Sequence, residues 1–183
     1  MRIGVDKNQL IGNHGMSNRR KHRQMEMAGA ELIPLRLPFG DYVEITEEVQ
    51  EVIDALGGPE NVHKKDLLNV IKLSIDTKKN LQEVIGNVCS KQHERFKREL
   101  LKPLSQTDAK LILLIEEADI ECLEDVYWWE NPRLKENPKA TKGSSLYKSL
   151  CTIRDEYNVD ILFCSRTDTG KQIIKIFEER SKS

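Results

Sequence analysis

Nothing in the 183 residues is apolar for long enough to cross a bilayer, which takes about 20 consecutive residues. The amino terminus, MRIGVDKNQL, lacks the hydrophobic stretch of a signal peptide, so the expectation is an intracellular protein with no membrane contact. Cysteine is sparse and dispersed: Cys89, Cys122, Cys151 and Cys164 form no Cys-x-x-Cys pair, which argues for reduced thiols and against a zinc site. His14, His22, His63 and His93 show no metal-ligand spacing either. Internal repeats and low-complexity segments are absent. Net charge is nearly absent too. With 29 Lys and Arg against 30 Asp and Glu, no global field draws the chain towards nucleic acid.

What is there is a charge-rich globular composition, 38% hydrophobic and 32% charged. The length suits one domain, residues 1–183, with a real core. The charge is unevenly placed. Residues 18–23, NRRKHR, and 91–102, KQHERFKRELLK, are basic, while acids gather at 44–60 and 116–130. Local binding of a polyanion produces such a pattern, and so does an ordinary solvated helix face.

Taken in order, Arg2 to Asp6 reads as a strand and Lys7 to Met16 as a Gly-containing loop. Ser17 then caps a helix from about Asn18 to Ala28. Ala30–Leu37 and Asp41–Ile45 read as the two arms of a hairpin through Pro38-Phe39-Gly40. Thr46 caps a helix over 47–56, with acids in its first turn where the helix dipole favours them. An apolar run from Leu67 ends at Asp76, and helices follow over 78–90 and 91–102. Lys110–Ile115, KLILLI, has the continuous apolarity of a strand buried on both faces. Residues 119–142, with Tyr127, Trp128 and Trp129, read as a long loop. Helix 144–156, strand 159–165 and helix 168–180 complete an alternation that predicts a three-layer α/β/α domain around a mixed sheet.

The chemistry concentrates at two places. Asp76 and Lys78, two residues apart on a strand, point to one face. Gly40-Asp41-Tyr42 brings a second carboxylate to the start of another strand. Two carboxylates and a lysine at one strand edge suit metal-assisted attack on a phosphodiester. Asp-x-Lys alone is equally a salt-bridged strand end.

The order of these pieces resembles the XPF-type nuclease domain, within the restriction-endonuclease-like PD-(D/E)XK fold. That family carries Gly-Asp, a variable gap, Glu-Arg-Lys, three residues, then Asp. Gly40 and Asp41 match the first pair, Asp76 takes the Glu position and Lys78 the lysine. Asp6 stands where the family also has a first-strand acid. VDILFCS and the helix opening at Asp168-Thr169 look like the family's last strand and helix, so the resemblance runs from Ile3 to about Glu179. Thr77 replaces the arginine, and Gln82 replaces the last acid. The longer gap suggests an inserted helix around 46–63, and the expectation is a stand-alone domain without the family's helix-hairpin-helix module.

The resemblance implies a metal-dependent endonuclease using Mg²⁺ or Mn²⁺ on branched or otherwise structured DNA. Asp41 and Asp76 are the expected ligands. Asp6 is a third acid, either on the metal or supporting those that are, and the backbone carbonyl of Thr77 is a further oxygen. Lys78 would orient the attacking water and stabilise developing charge. Arg95, Lys97 and Arg98, and separately Arg19, Arg20 and Arg23, are candidate phosphate contacts, which position a duplex without reading its sequence. Trp128 and Trp129 either stack on an unpaired base or pack down their own loop. Two other readings stand beside this one. The chain is a nuclease-like partner or DNA-binding platform without activity, or it is a nuclease of the Holliday-junction-resolvase or restriction type. Relatives pair as dimers, so a second copy or a nuclease-family partner is a further expectation. The apolar faces of helices 144–156 and 168–180 serve either that interface or the sheet.

Overall fold

The computed structural model describes residues 1–10, 15–89, 93–105 and 109–180. Among the described residues, six strands form one mixed sheet: β1 (Arg2–Asp6), β2 (Glu31–Leu35), β3 (Tyr42–Glu44), β4 (Leu73–Lys78), β5 (Lys110–Glu116) and β6 (Val159–Cys164). Their order across the sheet is β2-β1-β3-β4-β5-β6. β1 runs parallel to β2 and antiparallel to β3, β3 is antiparallel to β4, and β4, β5 and β6 are parallel. The helices are a single turn α1 (Lys7–Leu10), then α2 (Gly15–Met27), α3 (Glu47–Ala55), α4 (Leu81–Cys89), α5 (His93–Leu104), α6 (Gly143–Tyr157) and α7 (Thr169–Arg180).

The apolar alternation of β5 shows how the layers are built. Leu111, Leu113 and Ile115 join a core with Val84, Phe96, Leu100, Leu146 and Leu150, from α4, α5 and α6. Ile112 and Leu114 face the other way, into a core with Met25 of α2 and Ile173 and Phe177 of α7. This is the expected α/β/α arrangement, with β5 buried on both faces. The apolar faces of α6 and α7 are spent on covering the sheet.

Several local expectations are corrected. β2 and β3 are not hairpin arms, because β1 lies between them. The crossover through α2 sets β2 parallel to β1, as such connections favour. The chain then passes over the end of β1, anchored by Leu37 N–H donating to Asp6 Oδ2 (3.1 Å) and Asp6 N–H donating to the Asp41 carbonyl (2.9 Å). α2 starts at Gly15, so Ser17 lies inside the helix and not at its cap. α1 occupies the start of the expected 7–16 loop, and residues 11–14 of that loop lie outside the described residues. Residues 64–67 form a 3₁₀ turn, and β4 starts only at Leu73. Leu67 and Ile71 are buried in the helix-side core, so their apolarity reports packing and not sheet pairing. At its other end β4 continues through Lys78, and α4 starts three residues later than expected. Residues 119–142 hold no α-helix or β-strand among the described residues. They contain 3₁₀ turns at Leu123–Trp128 and Pro132–Lys135. Buried Asn131 pins this segment by donating to the Thr141 carbonyl (2.7 Å) and accepting from Arg133 N–H (3.0 Å). Among the described residues, no helix is long and apolar enough to cross a membrane.

Candidate active site

Tyr42 pairs with Ile75 across the β3–β4 ladder, and extending that register by one residue sets Asp41 opposite Asp76. Asp41 N–H donates to the Ile75 carbonyl (2.8 Å), and Asp6 closes the row on β1. Three carboxylate-bearing residues thus stand on neighbouring strands at one edge of the sheet. Gly40 makes the approach possible. Its φ is +69°, and a Cβ there would lie 2.0 Å from Ser74 Oγ, so any other residue is strained there and must displace the Ser74 hydroxyl. Ser74 braces the same turn by donating to the carbonyls of Phe39 (3.0 Å) or Tyr42 (3.1 Å).

Asp41, Asp76 and Lys78 line a cleft of about 730 Å³ on the α4/α5 side of the sheet, together with Gln9, Glu83 and Arg95. The period-two alternation of β4 aims Asp76 and Lys78 into it, and Lys78 Nζ bonds both Asp76 oxygens at 2.9 and 2.8 Å. The ammonium also sits 5.4 Å from the centre of the buried Phe96 ring, which holds it by a cation–π contact. Lys78 is only 8% exposed. Burial by itself lowers its pKa. The charge and hydrogen bond of Asp76, helped by Asp41 and Glu83, outweigh burial and raise it.

Asp41 is held from two sides. Its Oδ2 accepts the Thr77 N–H (2.9 Å) and the Thr77 hydroxyl (2.7 Å), and its Oδ1 accepts from the Gln9 amide (2.7 Å). Gln9 is itself fixed by Asn18, whose amide donates to the Gln9 carbonyl and side-chain oxygens. Burial, and then the negative charge of Asp76, push the Asp41 carboxyl up to about 6 despite the opposing effects of Lys78 and Thr77. Asp6 differs: Oδ1 accepts Asn8 N–H (2.9 Å) and Oδ2 accepts Leu37 N–H, so both oxygens already tie down backbone.

Gln82 turns from the cleft and bonds Asn131 of the 119–142 segment. The adjacent Glu83 lines the cleft, with one oxygen accepting Lys79 N–H (2.8 Å) at the start of α4. Among the described residues, no group of three or more His, Cys, Asp or Glu side chains is arranged to hold a metal ion. Asp41 and Asp76, with backbone carbonyl oxygens, are the groups in the cleft that could hold one. Such a set suits Mg²⁺, which keeps several waters, better than an ion that needs a protein cage.

The basic residues fall into two groups. Arg95 reaches the cleft from the first turn of α5, and Lys97 and Arg98 are exposed beyond it. Arg19, Arg20 and Arg23 are exposed on α2, in the opposite layer. Trp128 is 80% exposed and meets Tyr127 edge-on at 4.9 Å between ring centres, whereas Trp129 packs against the core. Gln9, Asn18 and Lys21, which contact the acids or their partners, had no sequence signal of their own. They lie in or beside a stretch that reads as a loop followed by a basic helix.

No protein-family model matches the chain, and no curated protein matches it in sequence. Among solved structures, the fold recurs in XPF from Aeropyrum pernix in complex with DNA. The TM-score is 0.58 at 13% identity, over 99% of this chain and 65% of that one. It recurs in a second structure of XPF from Aeropyrum pernix, at TM-score 0.57 and 12% identity, over 100% of this chain and 62% of that one. The chain thus spans less than two thirds of the XPF chains it matches, and shares their fold along essentially its whole length.

Proposed function

We propose that this protein is a metal-dependent endonuclease that hydrolyses phosphodiester bonds in DNA, with branched or otherwise structured DNA as substrate. The observation that carries the reading is the convergence of Asp41, Asp76 and Lys78 on one cleft, at the edge where their strands end. The fold shared with an XPF structure in complex with DNA supports it.

The residues present fit a divalent cation. Burial and the neighbouring Asp76 make the Asp41 charge unfavourable, and a cation relieves both carboxylates at once. Asp41 and Asp76 would hold Mg²⁺ or Mn²⁺, with the Thr77 carbonyl as a further oxygen. When bound, such an ion polarises the phosphoryl oxygens and makes a water a better nucleophile. Asp41 Oδ2 is committed to Thr77, so its Oδ1 is the oxygen with a free lone pair. Lys78 would orient the attacking water and balance charge on the phosphoryl group as the water oxygen bonds phosphorus, one P–O ester bond breaks and the leaving oxygen takes a proton. Asp6 would support the others by fixing the backbone at Leu37. Arg95, Lys97 and Arg98 would contact backbone phosphates beside the cleft, and Arg19, Arg20 and Arg23, in the opposite layer, would do so where a duplex passes over the edge of the sheet.

A second reading, a nuclease-like DNA-binding platform without activity, is favoured by one observation: Gln82 bonds Asn131 and adds no third acid to the cleft. End-labelled forks, flaps, four-way junctions and plain duplex, each with Mg²⁺, Mn²⁺ or EDTA, separate the two. The nuclease reading expects metal-dependent cutting of branched DNA. Binding of branched DNA with no cutting under either metal makes the platform the better account. Cutting restricted to symmetric four-way junctions, or to linear duplex, points to the resolvase or restriction type.

A further inference from the structure

On the face of the sheet opposite the cleft lies a buried ion pair for which the proposed chemistry has no direct use. Lys21, on α2, is 3% exposed, and Glu116, at the end of β5, is 4% exposed. Lys21 Nζ lies 3.4 Å from Glu116 Oε1, and Arg166 Nε lies 3.7 Å from Oε2. Neither Glu116 oxygen makes a hydrogen bond among the described residues. A buried pair satisfied this poorly gains little over apolar side chains of the same size. Packing stability therefore does not account for it.

Its other contact does. Lys21 Nζ donates to Thr77 Oγ1 at 3.2 Å, and Thr77 Oγ1 donates to Asp41 Oδ2 at 2.7 Å. Thr77 alternates with Asp76 and Lys78, so its side chain starts on the α2/α7 face while its neighbours enter the cleft. The direction of the chain follows from the donors available. A lysine ammonium has protons and no acceptor, so the hydroxyl must accept from it. An ionised Asp41 has no proton to give, so the single hydroxyl proton goes to Oδ2. Lys21 thereby selects the one state of Thr77 in which both its N–H and its O–H serve Asp41. Glu116 supplies the countercharge that lets an ammonium stand in this apolar layer. The position of Lys21 is fixed by close helix packing: a Cβ on Gly170 of α7 would lie 2.4 Å from the Lys21 carbonyl, and Gly170 N–H donates to Gln24 Oε1 at 2.9 Å.

We propose that Lys21 and Glu116 are positioning residues that act through Thr77, from behind the sheet, to hold Asp41 with Oδ1 turned to the metal. The proposal rests on the nuclease reading above. Hydrogen-bond partners of metal ligands are worth roughly 10- to 100-fold in metal affinity.

The test measures Mn²⁺ binding to the full chain for wild type, Asp41→Asn, Thr77→Val, Thr77→Ser and Lys21→Met. A second readout needs no metal: the three-bond couplings of the Thr77 methyl group, which report its rotamer. The expected result is that Thr77→Val and Lys21→Met weaken Mn²⁺ by about 10-fold or more. Thr77→Ser, which keeps the hydroxyl, should restore affinity. In Lys21→Met the Thr77 couplings should average, and cleavage should recover at saturating Mn²⁺, showing an effect on metal and not on turnover. Wild-type affinity in Thr77→Val and Lys21→Met, with binding lost in Asp41→Asn, overturns the inference and leaves the nuclease reading standing. Equal binding, or none, in wild type and Asp41→Asn removes the nuclease reading and the inference with it. Should Lys21→Met fail to fold, the near-isosteric Thr77→Val and Thr77→Ser decide the matter.

Discussion

The sharpest consequence of the cleft's electrostatics concerns stability and pH, with no substrate involved. Asp41 has its carboxyl moved from an ordinary 3.8 to about 6 by burial and by Asp76. A group whose folded pKa is raised stabilises the protein below its unfolded pKa, and that contribution is lost as pH rises through the folded value. The window here runs from about pH 4 to just above 6. A shift of this size corresponds to about 3 kcal/mol at roughly 1.4 kcal/mol per unit. Between pH 5.0 and pH 7.5 only about half of this is lost, because pH 5.0 already lies above the unfolded pKa, where the stabilisation is partly gone. For a chain of this length 1 kcal/mol moves Tm by roughly 2–4 °C, so about 3–6 °C is at stake. The assay is thermal unfolding in EDTA at pH 5.0 and pH 7.5, for wild type and Asp41→Asn. Other groups titrate in both proteins, so the difference between the two slopes is the quantity to read. Wild type should lose about 3–6 °C more than the variant between the two pH values, and Mn²⁺ at pH 7.5 should restore it in wild type alone. Identical slopes in the two proteins would refute the reasoning, whatever the offset in absolute Tm.

Three further outcomes follow from the same geometry. Phe96→Ala removes the buried ring under Lys78 and should cost about 3–5 kcal/mol in urea unfolding, the usual range for a buried Phe, while loosening Lys78. Gly40→Ala should lower Tm and metal affinity together, since Ala meets both a positive φ, about 1–3 kcal/mol of strain, and Ser74 Oγ; adding Ser74→Ala should recover only the part due to the clash. Glu116→Gln leaves the Lys21 charge buried without a counterion and should cost about 3–5 kcal/mol, whereas Arg166→Ala, at the exposed end of the same cluster, should cost less than about 1 kcal/mol by the same denaturation assay.

The layers were legible because a short chemical pattern encodes them. KLILLI has the length and continuous apolarity of a strand covered on both faces, and the helix faces of 143–157 and 169–180 carry apolar residues at the right spacing to cover it. Strand pairing was not legible in the same way. Residues 31–35 and 42–44 alternate as hairpin arms would, but alternation records which face is buried and says nothing of the neighbour. Asp41, Asp76 and Lys78 could be singled out because their chemistry is unusual at strand ends and their order resembles a known motif. The residues that hold Asp41 could not. Gln9 and Asn18 are ordinary polar residues in a loop-like stretch, and Lys21 is one lysine in a basic cluster. Glu116 ends an apolar strand without marking itself as buried. Only the crossing of α2 over the sheet brings Lys21, Thr77 and Glu116 together, and that is a property of topology.

The central claim is that the Asp41–Asp76–Lys78 cleft cuts DNA with a bound metal. It is tested most directly by single-turnover cleavage of a labelled branched DNA at saturating protein in Mg²⁺, comparing wild type with Asp76→Asn and Lys78→Met. Binding of the DNA should be little changed, EDTA should stop the wild-type reaction, and each variant should lose roughly 100-fold or more in rate, as removal of a charge-stabilising group at a reacting centre does. Cleavage by both variants at the wild-type rate would contradict the account and place the chemistry elsewhere on the molecule.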